Sequence, residues 1–477
     1  MALKIASGPN VGSTVQPPWA HQKATKTFFA KVDRGYDFSD PGTGKTRSHA
    51  EIFRDRKGRK RMLVVCPKTL MFAAWGADIE RFTPELTVSY ATAEQREAAF
   101  AMNTDVVIIN TDGVKWFTDK NKKEQRRRRK YLEGFDELVI DESTTFKHHT
   151  SQRSKAMKEI RVYFKRRRAL TGTPTANSVM ELWHQALIID DGASLGDSYF
   201  RMRDAMQVST QVGPDPKMVR YDDKPQAESV VSSLINPRAI RHAFEDVMKH
   251  VPANHRSVRE FTLSPKALAA YKRMESDYIL LSDDPTHPIT AVHAAALRTK
   301  LLQIASGAVY GGSGEDGAYQ IIDHQRYELV TELVDSVKHS VVFFNWKHQR
   351  DELCKAFDAA GFAYALIDGS VNQRERDQIV VDYQAGKYKT LLLHPRTGAH
   401  GLTLTRGTTT IICSPIYEAD ILKQAIFRIY RGAQDQVTNT ILVQAKGTVE
   451  DLVYARLDAK TTRMEDFLSQ CKSRRPK

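Results

Sequence analysis

Asp40-Pro41-Gly42-Thr43-Gly44-Lys45-Thr46 is the stretch whose reading decides the fold. It follows a short run, Tyr36 to Phe38, that reads as a strand, and it opens a helical segment from Arg47 to Arg56. Glycines let backbone N–H groups approach phosphate oxygens, and a helix N-terminus adds a favourable potential for anions. In this frame Gly42, Thr43 and Gly44 line a phosphate loop. Lys45 reaches the β- and γ-phosphates of a nucleotide, and the Thr46 hydroxyl ligates Mg2+. Ser39 stands where the G-x-x-x-x-G-K-T pattern usually begins with glycine.

A phosphoryl-transfer site also needs an acidic pair at a strand end, and Asp136-Glu137-Leu138-Val139-Ile140-Asp141-Glu142 supplies one. Asp141 is expected to hold Mg2+ and Glu142 to orient and deprotonate the attacking water. Short aliphatic runs surround these motifs: Met62 to Cys66, Val106 to Ile109, Leu138 to Ile140 and Ala169 to Leu170. A second series comprises Val341 to Phe344, Tyr364 to Ile367, Thr390 to Leu393, Thr410 to Cys413 and Thr440 to Val443. Such runs, separated by helical segments, predict an α/β chain with two parallel sheets. The expected blocks are an N-terminal arm 1–15, a first lobe 16–235, a helical elaboration and linker 236–320, and a second lobe 321–477. Within the elaboration, Pro265 to Leu281 and Ala291 to Leu302 read as helices. Gln207 to Gln226, with Gly213, Pro214, Asp215 and Pro216, reads as an exposed loop.

Lysine and arginine number 71 against 57 acidic residues, a net charge of +14 that suits work along phosphates. The densest cluster, Arg126 to Lys130 after Lys122 and Lys123, reads equally as a phosphate-gripping loop or a solvated loop end. Hydrophobic residues at 41% and charged residues at 27% indicate a globular chain. No apolar run reaches the roughly eighteen residues of a membrane helix, and Met1 to Gln16 lacks signal-peptide order. The expected location is the cytoplasm of the host cell. The four cysteines, Cys66, Cys354, Cys413 and Cys471, lack metal or disulfide spacing; Cys66 and Cys413 read as buried thiols. Late in the chain comes Gln424-Ala425-Ile426-Phe427-Arg428-Ile429-Tyr430-Arg431-Gly432-Ala433-Gln434. Two arginines three apart share one face of a helix, from which guanidinium forks can stabilise charge on a transferring phosphate.

Together these motifs resemble superfamily-two helicases, and the remaining ones resemble the Swi/Snf-type branch of double-stranded DNA translocases, across about Pro17 to Leu457. The resemblance implies two RecA-like lobes with ATP and Mg2+ bound between them. It makes Gln22, in Pro17-Pro18-Trp19-Ala20-His21-Gln22, the reader of the adenine edge. In Val64 to Leu70, with Trp75 beyond, Lys68 and Thr69 become contacts to DNA phosphate, and Thr111 belongs to the next such loop. Leu170 to Ser178 resembles the coupling motif, in which Thr171 and Thr173 link phosphate state to lobe movement. Leu391 to Leu404 resembles a loop touching DNA and nucleotide: Gly401 is assigned to the nucleotide, Thr403 to nucleic acid, and His400 is unusual. Arg428 and Arg431 become arginine fingers, with Gln424 as a supporting polar contact.

The resemblance departs at Thr144, Phe427 and Tyr430, and a compact divergent motor of this kind suits a virus or mobile element. The implied activity is nucleic-acid-stimulated ATP hydrolysis coupled to movement along duplex DNA by a monomeric motor. Replication, recombination or branch processing is the expected setting, with proteins of those processes as partners. Unwinding of RNA or single-stranded DNA, or service as the motor of a restriction system, are the competing readings.

Overall fold

The computed structural model describes residues 16–213, 217–283, 291–310, 319–398 and 402–471. The arm 1–15, His400 and Gly401 lie outside the described residues. The chain divides into two compact units. One comprises Met1–Val208, Asp222–Lys249 and Thr462–Lys477; the other comprises Ser209–Tyr221 and His250–Thr461.

The first unit is built on seven strands: Arg34–Asp37 (β1), Met62–Cys66 (β2), Val88–Ala91 (β3), Val106–Asn110 (β4), Glu137–Asp141 (β5), Arg166–Leu170 (β6) and Ala239–Ile240 (β7). They lie in the order β3-β4-β2-β5-β6-β1-β7, every pair parallel. Side chains alternate across a strand, and here both faces are buried. Leu63 and Val65 enter one core with Val107, Ile109 and Ile140. Met62, Val64 and Cys66 enter the other with Val106, Ile108 and Val139. That two-sided burial explains the continuous aliphatic runs. Because the strands run one way, the loops after β1, β2, β4, β5 and β6 share one edge of the sheet. Register then sets the site, since Asp37 and Asp141 both lie opposite Leu170.

The second unit carries Asn254–Phe261 (β8), Ser340–Phe343 (β9), Tyr364–Ile367 (β10), Thr390–Leu393 (β11), Thr409–Ile412 (β12) and Thr438–Ala445 (β13). Their order is β8-β13-β12-β9-β11-β10, again parallel throughout. Arg326 and Glu450, both fully buried, form an ion pair at 2.6 Å, and Arg326 lies 4.8 Å above the Phe261 ring. Removing one partner of such a pair strands a charge and costs about 3–5 kcal/mol.

The structure differs from the sequence expectations in three places. First, the division into units does not follow the four blocks. The helices Pro265–Asp283 and Ala291–Ala305 fall inside the second unit, and Thr462–Lys477 is grouped with the first. The reason is packing: Met464, Phe467, Leu468 and Cys471 are buried in the core beneath β1, with the Phe467 ring 6.2 Å from Phe38. Second, the expected loop at Gln207 to Gln226 contains two paired strands, Gln207–Gln211 and Val219–Asp223. Third, the basic cluster is a helix, Lys122–Lys130, because the Asn121 side chain accepts from the backbone N–H groups of Lys123 and Glu124. Cys66 and Cys413 are buried thiols, as their strand context implies. No helix among the described residues is long and apolar enough to cross a membrane.

Candidate active site

The phosphate loop joins β1 to the helix Lys45–Asp55. Gly42 and Gly44 have φ of 82° and 76°, a region closed to most side chains, and Gly44 is the helix N-cap. A Cβ on Gly44 would also stand 2.4 Å from Gln22 Nε2. Lys45 Nζ donates to the Ser39 and Asp40 carbonyls at 2.7 and 3.0 Å, and the Thr43 hydroxyl donates to the Asp40 carbonyl at 2.8 Å. Ser39 is tolerated in place of glycine for a visible reason. Its φ is negative, its N–H donates to Asp37 Oδ1 at 3.0 Å, and its Oγ accepts from the His242 N–H at 3.1 Å. Thr46 is half-buried in the first turn of the helix.

Gln22 is buried with both ends of its amide engaged. Oε1 accepts from the Trp19 N–H at 2.9 Å, and Nε2 donates to the Gly44 carbonyl at 3.3 Å. The neighbouring His21 ring nitrogen meets the Thr43 carbonyl at 2.8 Å. The residue expected to read adenine therefore bears directly on the phosphate loop.

Asp141 ends β5 and is buried. Its Oδ2 accepts from Trp75 Nε1 at 2.9 Å and its Oδ1 from the Glu142 N–H at 3.0 Å. Burial raises its pKa above the ordinary carboxylate range, against the lowering pull of the Lys45 ammonium and the Trp75 bond. Glu142 adopts φ 51° and ψ 55°, left-handed backbone that is rare outside glycine. Strain at that position turns the chain sharply after the acidic strand, and such outliers concentrate at functional sites.

Beneath the loop lies a buried polar chain that the motifs do not reveal. Asp37 Oδ2 meets His49 Nε2 at 3.0 Å, and the other nitrogen of His49 faces Arg168 at 3.4 Å. Arg168 pairs with buried Glu137, which Arg56 also approaches at 3.1 Å. Burial lowers the His49 pKa to about 4, outweighing the raising effect of Asp37. Burial opposes ionisation of Asp37, yet His49, Lys45 and a side-chain hydrogen bond from Ser39 together hold its pKa well below the ordinary range. A histidine four residues after Lys45, on the same helix face, is the available sequence signal. For Trp75, sequence context suggests only membership of a DNA-facing loop.

After β6, the Thr171 N–H donates to the Asp37 carbonyl at 3.1 Å and the Thr171 hydroxyl accepts from the Thr173 N–H at 3.1 Å. The Thr173 hydroxyl is buried with no hydrogen-bond partner among the described residues. Lys68, in the turn after β2, is exposed; Thr69 is half-buried with its hydroxyl unpartnered among the described residues; Thr111, directly after β4, is buried.

In the second unit the two arginines converge, but not from a helix face as their spacing suggests. The helix Ala419–Ile426 ends before them, because the Phe427 N–H closes on Lys423 and the chain tightens into turns. Arg428 donates to the Gln424 and Leu402 carbonyls at 2.8 and 3.0 Å. Arg431 donates to the Leu402 carbonyl at 3.2 Å and to the Thr403 hydroxyl at 2.6 Å. Gln424 is buried with Oε1 unpartnered among the described residues. A separate cleft of about 380 Å3 opens at the carboxyl ends of β9, β10 and β11, lined by Trp346, Lys347, Arg350, Asp368, His394 and Arg396 among others. Its exposed Lys347 carries no motif signal in the sequence.

A phosphate-loop motif and an acidic pair thus lie on one parallel sheet, two arginines converge in the other unit, and the family matches give the class as a helicase-type ATPase. The SNF2-related domain matches residues 26–308 and the helicase conserved C-terminal domain matches 325–433. The chain belongs to the SNF2-related family. It is 24% identical to protein p41 of Acyrthosiphon pisum secondary endosymbiont phage 1, over 96% of this chain and 99% of that protein. It is also 24% identical to the mouse (Mus musculus) chromodomain-helicase-DNA-binding protein 1-like, over 83% of this chain but 43% of that longer protein. Among solved structures, the Sulfolobus solfataricus SWI2/SNF2 ATPase core in complex with dsDNA aligns over 95% of this chain and 93% of that one, at 19% identity and a TM-score of 0.43.

Proposed function

We propose that the chain is a duplex-DNA translocase that hydrolyses ATP with the residues assembled at the carboxyl edge of its first sheet. The observation that carries this reading is the acidic pair itself. Asp141 is fixed by two donors within the field of Lys45, and Glu142 follows it in left-handed backbone that turns the chain at the strand end. The residues present fit a nucleotide with Mg2+: Gly42 and Gly44 hold the loop in left-handed turns, and the Thr173 hydroxyl is buried with no hydrogen-bond partner among the described residues. Thr46 and Asp141 are the groups that would hold Mg2+, which supplies charge neutralisation at the β- and γ-phosphate oxygens when bound. Lys45 leaves its loop carbonyls for the same oxygens. Glu142 takes the proton of the attacking water as the water oxygen bonds to the γ-phosphorus and the bond from that phosphorus to the β–γ bridging oxygen breaks, with ADP leaving. Arg428 and Arg431 offset the charge that develops on the transferred group.

Membership of the SNF2-related family, the excess of cations, and the exposed Lys68 and Lys347 support DNA phosphate as the track. The deciding experiment is an ATPase titration against duplex DNA, single-stranded DNA and RNA of equal length. Duplex is expected to stimulate most, with half-saturation rising steeply with salt and depending little on sequence. Stronger stimulation by RNA or single strands would move the reading to an unwinding helicase, and a flat salt response would contradict phosphate contact.

Trp75→Phe gives a narrower prediction. The ring bulk remains and the N–H to Asp141 is lost, a bond to a charged group of the kind that contributes about 1.5–3 kcal/mol. The Mg2+ concentration for half-maximal ATPase is expected to rise about tenfold or more, since roughly 1.4 kcal/mol is a factor of ten. An unchanged Mg2+ titration in the folded variant would show that Trp75 does not position Asp141.

A further inference from the structure

The helix Lys122–Lys130, Lys-Lys-Glu-Gln-Arg-Arg-Arg-Arg-Lys, contains no apolar side chain and buries none of its residues. Its charges are used differently. Arg127, itself exposed, pairs with Glu97 and Glu124, while the half-buried Arg128 pairs with Asp119 at 2.7 Å and Arg129 with Glu159. Arg128 and Arg129 also grip the carbonyls of Trp116 and Phe117 at 3.1 and 3.0 Å. Those carbonyls end the short helical segment Thr111–Phe117, which starts at an expected nucleic-acid contact. The helix is thus pinned to the same stretch of chain as that contact.

Outward, Lys123, Arg126 and Lys130 are exposed and have no acidic partner among the described residues. Spaced i, i+3 and i+7, they share one face and span about 10 Å at 1.5 Å per residue. Unpaired like charges at this spacing repel, so the face is held at a small cost that an anion would remove. The helix itself sets no apolar side chain among the three cations. A protein partner buries an apolar core, whereas a phosphate backbone is bound by charge alone. A duplex carries one phosphate per roughly 1.7 Å of axis over both strands, so about three phosphates of each strand fall within the same 10 Å.

We propose that Lys123, Arg126 and Lys130 form a second phosphate-backbone contact, which holds duplex DNA outside the segment gripped by the motor loops. The choice of duplex as ligand rests on the translocase reading above. The test compares wild type with a Lys123→Gln/Arg126→Gln/Lys130→Gln variant, using duplexes of about four helical turns and about one turn. Affinity is measured over a range of salt. Loss of three contacts should flatten the slope of log K against log salt by about 2 to 3 on the long duplex, at roughly 0.9 per phosphate. The short duplex should be affected less, and ATPase activity without DNA should not change. Arg127→Gln, which removes an internally paired arginine of the same helix, should leave the slope nearly unchanged. Equal slopes for wild type and the triple variant on the long duplex would overturn the proposal. So would unchanged duplex binding with lost binding to polyglutamate, which would assign the face to an acidic protein. If duplex fails to stimulate wild-type ATPase, the translocase reading fails separately, and the slopes still decide the contact.

Discussion

Arg428→Ala and Arg431→Ala are each expected to lower DNA-stimulated kcat by roughly 10³- to 10⁵-fold, the range supplied by an arginine finger, while nucleotide affinity changes little. A loss confined to kcat is the signature of a contact that forms only in the transition state. The structure separates the two variants in one respect. Arg428 is 4% exposed and serves two carbonyls, so its removal also leaves buried acceptors and lowers the stability of the second unit. Arg431 is less buried, and its partners include the Leu402 carbonyl and the exposed Thr403. Arg431→Ala is therefore the cleaner probe, and a thermal melt should show little change for it. Arg431→Lys restores the charge without the planar fork and is expected to recover only part of the rate. Near-normal hydrolysis in both alanine variants, measured with saturating duplex and ATP, would remove these arginines from the mechanism.

Glu142→Gln is expected to bind nucleotide as the wild type does and to hydrolyse it about 10²- to 10⁴-fold more slowly, the range lost with a general base. Glutamine preserves size and backbone, so the loss isolates the carboxylate. The left-handed backbone at this residue adds a second, independent readout. A non-glycine residue there costs about 1–2 kcal/mol, whereas glycine costs about 0.5–1 kcal/mol in lost chain freedom. Glu142→Gly is thus expected to abolish hydrolysis while leaving the melting temperature unchanged or slightly raised. A variant that kept its rate would place the base elsewhere. A variant that lost stability would show that the Glu142 side chain supports the fold rather than the chemistry.

Much of the fold is legible in the sequence because parallel strands buried on both faces must be apolar at successive positions. Met62 to Cys66 and Thr390 to Leu393 therefore coincide with their strands. Strands whose side chains are mostly exposed leave no such trace: Asn254–Phe261, along the edge of the second sheet, is open to solvent over most of its length. The basic cluster reads as a loop for a related reason. A helix without a single apolar residue has no hydrophobic period to reveal it, and its ion pairs to Glu97 and Glu159 come from distant parts of the chain.

The sequence by itself determined the local chemistry: a glycine loop ahead of Lys45 and Thr46, an acidic pair closing an aliphatic strand, and arginines at a fixed short spacing. These are legible because the atoms concerned are neighbours along the chain, so backbone geometry alone brings them together. Tertiary structure decided what those groups are tied to. Trp75 reaches Asp141 across 66 positions, His49 closes on Asp37 under the loop, and Gln22 rests on Gly44. The arginines leave their helix to meet at Leu402, and the residues from Met464 to Cys471 complete a core begun more than four hundred positions earlier. Each depends on sheet order and register, which set which loop ends adjoin, and on burial, which makes one partner for each polar group far cheaper than none.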